Sequence, residues 1–397
     1  MSANPLLSDA DLLARLIAFD STSRFSNLPI ADFIADYLDR PGIRIERNPS
    51  EDGDKVNLIV TVGPETDESR DGLMLSGHMD VVPAEEPEWQ SDPFEMKRQD
   101  DRYVGRGTCD MKGFVALAIN AAARADAQKL KAPLALILTF DEELGTLGAH
   151  HFMETWSHSA KPLPRRGIIG EPTSLQVVRM HKGHAKATLT VKGRPAHSGY
   201  PHLGHNAIEV TSRAISALSR LRAQLESETG EHSPFFPEVP FVALNLATIH
   251  GGSAINIVPD SCVLELGYRI LPGMQAKDFE TRIREALEHA LAGEDWSLEP
   301  LNHSPPMLLA DDHDLYQTVC ALNRQDETVS ASYATDAGWL QESGFECLLY
   351  GPGNIGVAHK PNEWLPIDEF ERCSKDLDTL VQHYCVEPCI SSPSGGD

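Results

Sequence analysis

Leu134-Ala-Leu-Ile-Leu-Thr-Phe-Asp-Glu-Glu-Leu-Gly145 is the stretch that decides the fold. A short, unbroken apolar run ending at turn residues reads as a strand buried on both faces, and the acidic cluster after Phe140 marks its carboxyl end. Working outward, the residues from Lys112 to Ala123 have helical apolar spacing. GLMLSGHMD from Gly72 and VNLIVTVG from Val56 read as further strands, as do GIIGEP from Gly167 and FECLLYGPG from Phe345. Strands alternating with helices predict an α/β domain, a mixed sheet covered by helices, whose ligands gather at the carboxyl ends of the strands. Three of the polar clusters considered below fall at such ends.

Near the start, apolar residues recur at helical spacing from Ser8, with Ser8 or Asp9 as the cap, and a second helix is expected from Ile30 to Leu38. From His181 the character changes. HKGHAKATLTVKGRPAHSG is a period-two strand, followed by an amphipathic helix from Asn206 to Glu228, the strands FVALNLATIHGG and SCVLELGYRIL, and a helix from Asp278 to Ala292. That order predicts a two-layer α+β, ferredoxin-like unit at 180–295, inserted into a first domain made of 1–179 and 296–386. A closing helix is expected from Ile367 to Tyr384. The tail 387–397, rich in Ser, Pro and Gly, reads as disordered.

The length of 397 residues independently favours two domains. A formal net charge of -25, from 59 acidic against 34 basic residues, repels nucleic-acid phosphates and anionic membrane surfaces. Seven scattered cysteines without CxxC spacing suit free thiols in a reducing compartment. The first residues lack a basic region before an apolar stretch, and no run approaches a membrane span, so a cytoplasmic enzyme is the expectation.

The chemistry concentrates in five places. In Ser76-Gly-His-Met-Asp80, two side chains two apart on extended backbone point the same way, so Asp80 can hold one ring nitrogen of His78 while the other meets a metal. A structural histidine satisfies the same text. In Gly105-Arg-Gly-Thr-Cys-Asp-Met-Lys-Gly113, Asp110 is either a ligand or the cap of the helix that follows, and Cys109 invites a thiol-nucleophile reading but has no base partnered to it. Asp141, Glu142 and Glu143 form three consecutive carboxylates whose repulsion cations would relieve. One can bind metal while its neighbour holds the attacking water. Glu171 follows a strand in Gly-Glu-Pro, and His359 follows a glycine loop. Two imidazoles and three carboxylates suit two divalent ions such as Zn²⁺, Co²⁺ or Mn²⁺ better than an all-oxygen Ca²⁺ site.

Taken in order, SGHMDVVP, GRGTCDMKG, DEELG, GEP, AHSG and a late histidine resemble the co-catalytic metallopeptidase family that includes acetylornithine deacetylase, succinyl-diaminopimelate desuccinylase, aminoacylases and related carboxypeptidases. The resemblance spans about Leu12 to Tyr384. It implies that His78 and Glu171 complete one metal site, Glu143 and His359 the other, and that Asp110 bridges them. Asp80 would orient His78, and Glu142 would be the general acid/base. His197 of AHSG looks like the histidine that, in dimeric members, reaches the partner's active site to stabilise an oxyanion. Asn256 and Arg269 look like the pair that holds the substrate and its carboxylate. The residues by themselves also fit a turn cap at His197, a turn residue at Asn256 and a surface charge at Arg269.

The implied function is metal-dependent removal of an acyl group from a small N-acyl amino acid, with a lid or homodimer formed through the insert. GRGTCDMKGF, IIGEPTSL followed by HKGH, and GPGNIGVAHKPNEWL resemble acetylornithine deacetylase, whereas AHSGYPHLG departs from the common bacterial wording. N-acetyl-L-ornithine is therefore the expected substrate, in arginine biosynthesis. Desuccinylase, N-acetylcitrulline deacetylase, aminoacylase and dipeptidase activities are the alternatives, beside a catalytically inactive metal-binding interaction protein and a cysteine hydrolase using Cys109.

Overall fold

The computed structural model describes residues 5–65, 71–157 and 161–387. The reading of the tail as disordered, from residue 388 onward, falls outside them. The chain forms two compact units. The first comprises Met1–Arg179, Leu309–Val329 and Thr335–Asp397; the second comprises Met180–Leu308 and Ser330–Ala334. Among the described residues, no helix is long and apolar enough to cross a membrane, and the six described cysteines are free and buried.

The sheet of the first unit runs in the order Ile43–Pro49, Val56–Val62, Leu134–Thr139, Leu73–His78, Arg166–Ile169, Glu346–Leu349. The first three strands are antiparallel neighbours and the remaining ones pair in parallel, so the sheet is mixed. Leu73–His78 and Leu134–Thr139 are buried at every position, as expected of strands covered on both faces. Helices Asp9–Ile17, Leu28–Tyr37, Lys112–Arg124 and Ile367–Val381 contribute apolar side chains to the core around them. Ser8 is the cap of the first helix, its hydroxyl accepting from Asp11 N–H at 3.1 Å.

Register places the site. His78 lies opposite Thr139, Ser76 opposite Ile169, and Leu349 opposite Ile169. Four chain segments, those carrying His78, Asp141 to Glu143, Glu171, and the loop to His359, therefore leave the sheet at one edge.

The second unit is a four-stranded antiparallel sheet in the order Ala243–Gly251, Ser261–Ile270, Gly183–Lys192, Asp295–Ser304. Helices Ala207–Leu225 and Ala276–Ala290 bury their apolar stripes against it. Asn206 caps the first, accepting from Ile208 and Glu209 N–H. The unit runs past residue 295, where the sequence reading ended the insert. Asp295–Ser304 completes the sheet beside Gly183–Lys192, with a register shift between Pro300 and His303. Pro300 and that irregularity break the period-two pattern that would reveal a strand.

Candidate metal centre

Each candidate side chain arrives from a strand end or from the loop ahead of a helix. His78 closes its strand with its side chain 1% exposed. Its Nε2 lies 3.0 Å from Asp110 Oδ1. Its Nδ1 faces Asp80 twice, the backbone carbonyl at 2.9 Å and the carboxylate Oδ1 at 3.6 Å. Asp110 caps nothing: the helix that follows is capped at Met111, without a side-chain bond. Its second oxygen instead lies 3.2 Å from His359 Nε2, which stands 3.0 Å from Glu143 Oε2. His359 reaches that position with φ at 60° and stays half-exposed.

Glu171 is set by a close approach. Gly170 passes the ring of Phe114 so tightly that a Cβ there would stand 1.8 Å from Cγ, so only glycine lets the strand end run under the helix. Glu171 itself is 4% exposed, and its Oε1 has no hydrogen-bond partner.

His78, Asp110 and Glu171 form one group whose candidate ligand atoms all lie within 4.8 Å of one another, and Asp110, Glu143 and His359 form another. Donors held about 2.0–2.2 Å from a shared cation stand roughly 3–3.5 Å apart, which matches the imidazole-to-carboxylate spacings here. A buried carboxylate oxygen without a partner costs free energy unless a cation or proton meets it. The residues thus fit two divalent ions with Asp110 in common.

Crowding shifts the acids strongly. Burial, then the charge of Asp110, pushes Glu143 up to about 7. Burial and the neighbouring carboxylates push Glu142 and Glu171 well above the usual range. Hydrogen bonds to Asp110 and Glu143 raise His359 to about 10. His78 is raised too: burial opposes its charge, but Asp110 and Asp80 outweigh that. Asp110 lies below the ordinary range because hydrogen bonds to both imidazoles overcome its burial. Negative charge is therefore in excess, and whatever binds best here is cationic.

The three consecutive carboxylates divide. Asp141, with φ at 49°, turns away to pair with Lys55 Nζ at 2.6 Å. Glu142 and Glu143 face the site, and their N–H groups donate to Asp80 Oδ1 at 3.1 Å and Oδ2 at 3.3 Å. Sequence reasoning missed Lys55, and also Ser23, whose hydroxyl donates to Asp80 Oδ2 at 2.7 Å. It missed Asp336, which accepts from Thr139 Oγ1 at 2.5 Å and which burial pushes up to about 6. A lone acid in the otherwise apolar ATDAGWL was the available signal for Asp336. Cys109 is buried with its thiol pushed well above its ordinary value, first by burial and then by Glu363 and Asp110, which suits no nucleophile.

The remaining candidates lie in the second unit. His197 is exposed, and its Nδ1 accepts from Gly199 N–H at 3.0 Å. Its segment pairs with that of Asn256, whose carbonyl accepts from Ser198 N–H at 2.9 Å. Arg269 lies opposite His184 and Ala243 in the sheet.

Residues 74–383 match the model of peptidase family M20/M25/M40. An acetylornithine deacetylase of Yersinia pestis is 35% identical over 377 residues, covering 93% of this chain and 94% of the relative. One from Edwardsiella ictaluri (strain 93-146) is 37% identical over 366 residues, covering 91% and 92%. The M20 family metallo-carboxypeptidase Sso-CP2 from Sulfolobus solfataricus has the same fold, with a TM-score of 0.76 at 16% identity, covering 96% of this chain and 99% of that one.

Proposed function

The chain belongs to peptidase family M20/M25/M40 and is a metal-dependent amide hydrolase resembling acetylornithine deacetylase; from that premise we propose that it converts N-acetyl-L-ornithine and water to L-ornithine and acetate. The observation that carries the substrate is the similarity to acetylornithine deacetylases along nine-tenths of the chain. The same family fold also serves peptidases, so the acyl group and side chain are the points at issue.

In this reading His78 and Glu171 hold one ion, Glu143 and His359 the second, and Asp110 both, with Zn²⁺ the first choice and Co²⁺ or Mn²⁺ acceptable to the same donors. Bound divalent ions supply Lewis acidity, lowering the pKa of water and polarising the amide carbonyl. Glu142 takes the proton from the attacking water and returns it to the leaving nitrogen. Its raised affinity for protons, caused first by burial, suits it to holding that proton between the two steps. Asp80 fixes the backbone of Glu142 and Glu143 while facing His78.

For the second unit the proposal assigns the oxyanion to His197 and the substrate with its carboxylate to Asn256 and Arg269. It assigns the second unit to a lid that also forms a homodimer. Buried free cysteines support a cytoplasmic setting, and arginine biosynthesis is the context that the proposed substrate implies. The test is a substrate panel with added Zn²⁺ or Co²⁺: N-acetylornithine, N-succinyl-diaminopimelate, N-acetylcitrulline, N-acetylmethionine and simple dipeptides. The highest kcat/KM is expected on N-acetylornithine, and a preference for any other member replaces the substrate. Full activity in chelator would remove the metal mechanism altogether.

A further inference from the structure

The geometry points to Glu363 as the residue that positions Asp110, with Arg106 in turn holding Glu363. This rests on the reading that Asp110 is shared by both metal sites. Asp110 comes from an irregular loop, 105–111, in which Arg106 N–H donates to Pro93 O and Thr108 N–H to Gly105 O. Glu363 takes three of the other N–H groups. Its Oε1 accepts from Cys109 N–H at 2.9 Å and Asp110 N–H at 3.0 Å, and its backbone carbonyl accepts from Gly105 N–H at 3.0 Å.

Oε2 of Glu363 accepts from Arg106 Nη1 at 2.7 Å. Arg106 belongs to the same loop, is fully buried, donates through Nη2 to Pro83 O at 3.0 Å, and lies over the Trp89 ring at 5.2 Å from its centroid. The planar guanidinium fork suits this two-ended hold in a way an ammonium does not. Glu363 stands four residues after His359, so one side chain ties the loop of Asp110 to the segment of the other late donor. A carboxylate that holds the backbone of a shared ligand sets the geometry of both ions at once. Both oxygens of its carboxylate are taken by Arg106 and by backbone N–H groups, and it belongs to neither ligand group, so its role is positioning.

The test is calorimetric titration of the metal-stripped whole chain with Zn²⁺, for the parent, Glu363→Gln, Arg106→Lys and Glu171→Ala, with circular dichroism to monitor the fold. Loss of a partner behind a metal ligand typically weakens affinity about 10–100-fold. In Glu363→Gln both binding events should weaken together by that amount, because the amide nitrogen must face either Arg106 or the Cys109 and Asp110 N–H groups, donor against donor. Glu171→Ala, which removes a donor from one group, should lose one event and keep the other. A residue serving stability alone would lower the unfolding midpoint and leave the Zn²⁺ affinities of the folded protein untouched. A folded Glu363→Gln with both affinities unchanged, or with one event alone weakened, overturns the proposal. If Glu363→Gln does not fold, Arg106→Lys decides, with concerted weakening for the proposal and unchanged affinities against it. A parent that binds fewer than two ions overturns the metal-centre reading itself, whatever the variants do.

Discussion

The carboxylate of Asp80 accepts the backbone N–H of Glu142 at 3.1 Å. With the Glu143 N–H at 3.3 Å on its other oxygen and His78 Nδ1 3.6 Å from Oδ1, one fully buried carboxylate stands between the proposed base and two proposed ligands. Asp80→Ala should therefore lower metal affinity and turnover together, metal affinity by about 10–100-fold. Paired measurement of Zn²⁺ affinity and kcat checks this. A variant that loses neither removes Asp80 from the assembly.

Glu142 should separate binding from chemistry. Glu142→Gln keeps size and hydrogen bonding but cannot accept the proton, so metal content should stay at the parent level while kcat falls by at least about 10²–10⁴-fold, the contribution typical of a general acid/base. Metal analysis beside steady-state kinetics gives the answer. A metal-replete Glu142→Gln with near-normal kcat would sink the assignment.

Removing the metals should cost more stability at high pH than at low. Glu142, Glu143 and Glu171 have folded pKa values raised above the ordinary carboxylate value, as has His359 above the ordinary imidazole value. A group raised on folding contributes stability that is complete below its unfolded pKa and disappears as pH climbs through the folded one. For Glu143 that loss runs from its ordinary value of 4.5 up to about 7, and for His359 from 6.5 up to about 10. Asp110, depressed by both imidazoles, matters only at strongly acid pH. Bound cations take over the role of those protons. The gain in Tm on adding Zn²⁺ to chelator-stripped protein should thus grow from pH 6 to pH 8, and a gain that shrinks over that range contradicts the charge balance described here.

Lys55 illustrates what the sequence leaves unread. The run Asp141-Glu142-Glu143 announced a charge problem, and cations at the site looked like its solution. A third of it is solved by Lys55, 86 positions away in the chain, so no spacing rule could find it. The strand ends were legible because uninterrupted apolar text such as LALILTF means burial on both faces. Ile43–Pro49, half-buried and mostly polar, and Asp295–Ser304, broken at Pro300, carry no such pattern. His78 and Asp110 could be nominated from type and spacing, but whether Asp110 capped a helix depended on a turn that only the folded backbone displays. Lys55→Ala should leave the buried Asp141 carboxylate unpaired and cost on the order of 3–5 kcal/mol. Lys55→Met with Asp141→Asn should recover much of it, because no lone charge remains. Denaturant unfolding of the three proteins is the check, and a Lys55→Ala variant as stable as the parent defeats the argument.

His197 poses the sharpest choice between a structural and a catalytic reading. Its Nδ1 accepts from Gly199 N–H at 3.0 Å, which is what a turn-capping residue does. The ring is exposed in the second unit, so little packing depends on it. Asparagine can accept the same bond through its side-chain oxygen but presents no imidazole N–H beyond it. His197→Asn should therefore keep the turn, the unfolding midpoint and the metal content of the parent. If His197 stabilises a developing oxyanion, kcat should still fall by about 10²–10³-fold, the typical cost of one such donor. His197→Ala should lose as much turnover and a little stability besides. Parent-like kcat in His197→Asn, with a reduced midpoint in His197→Ala, would leave the histidine a turn residue and return the oxyanion role to the groups of the first unit.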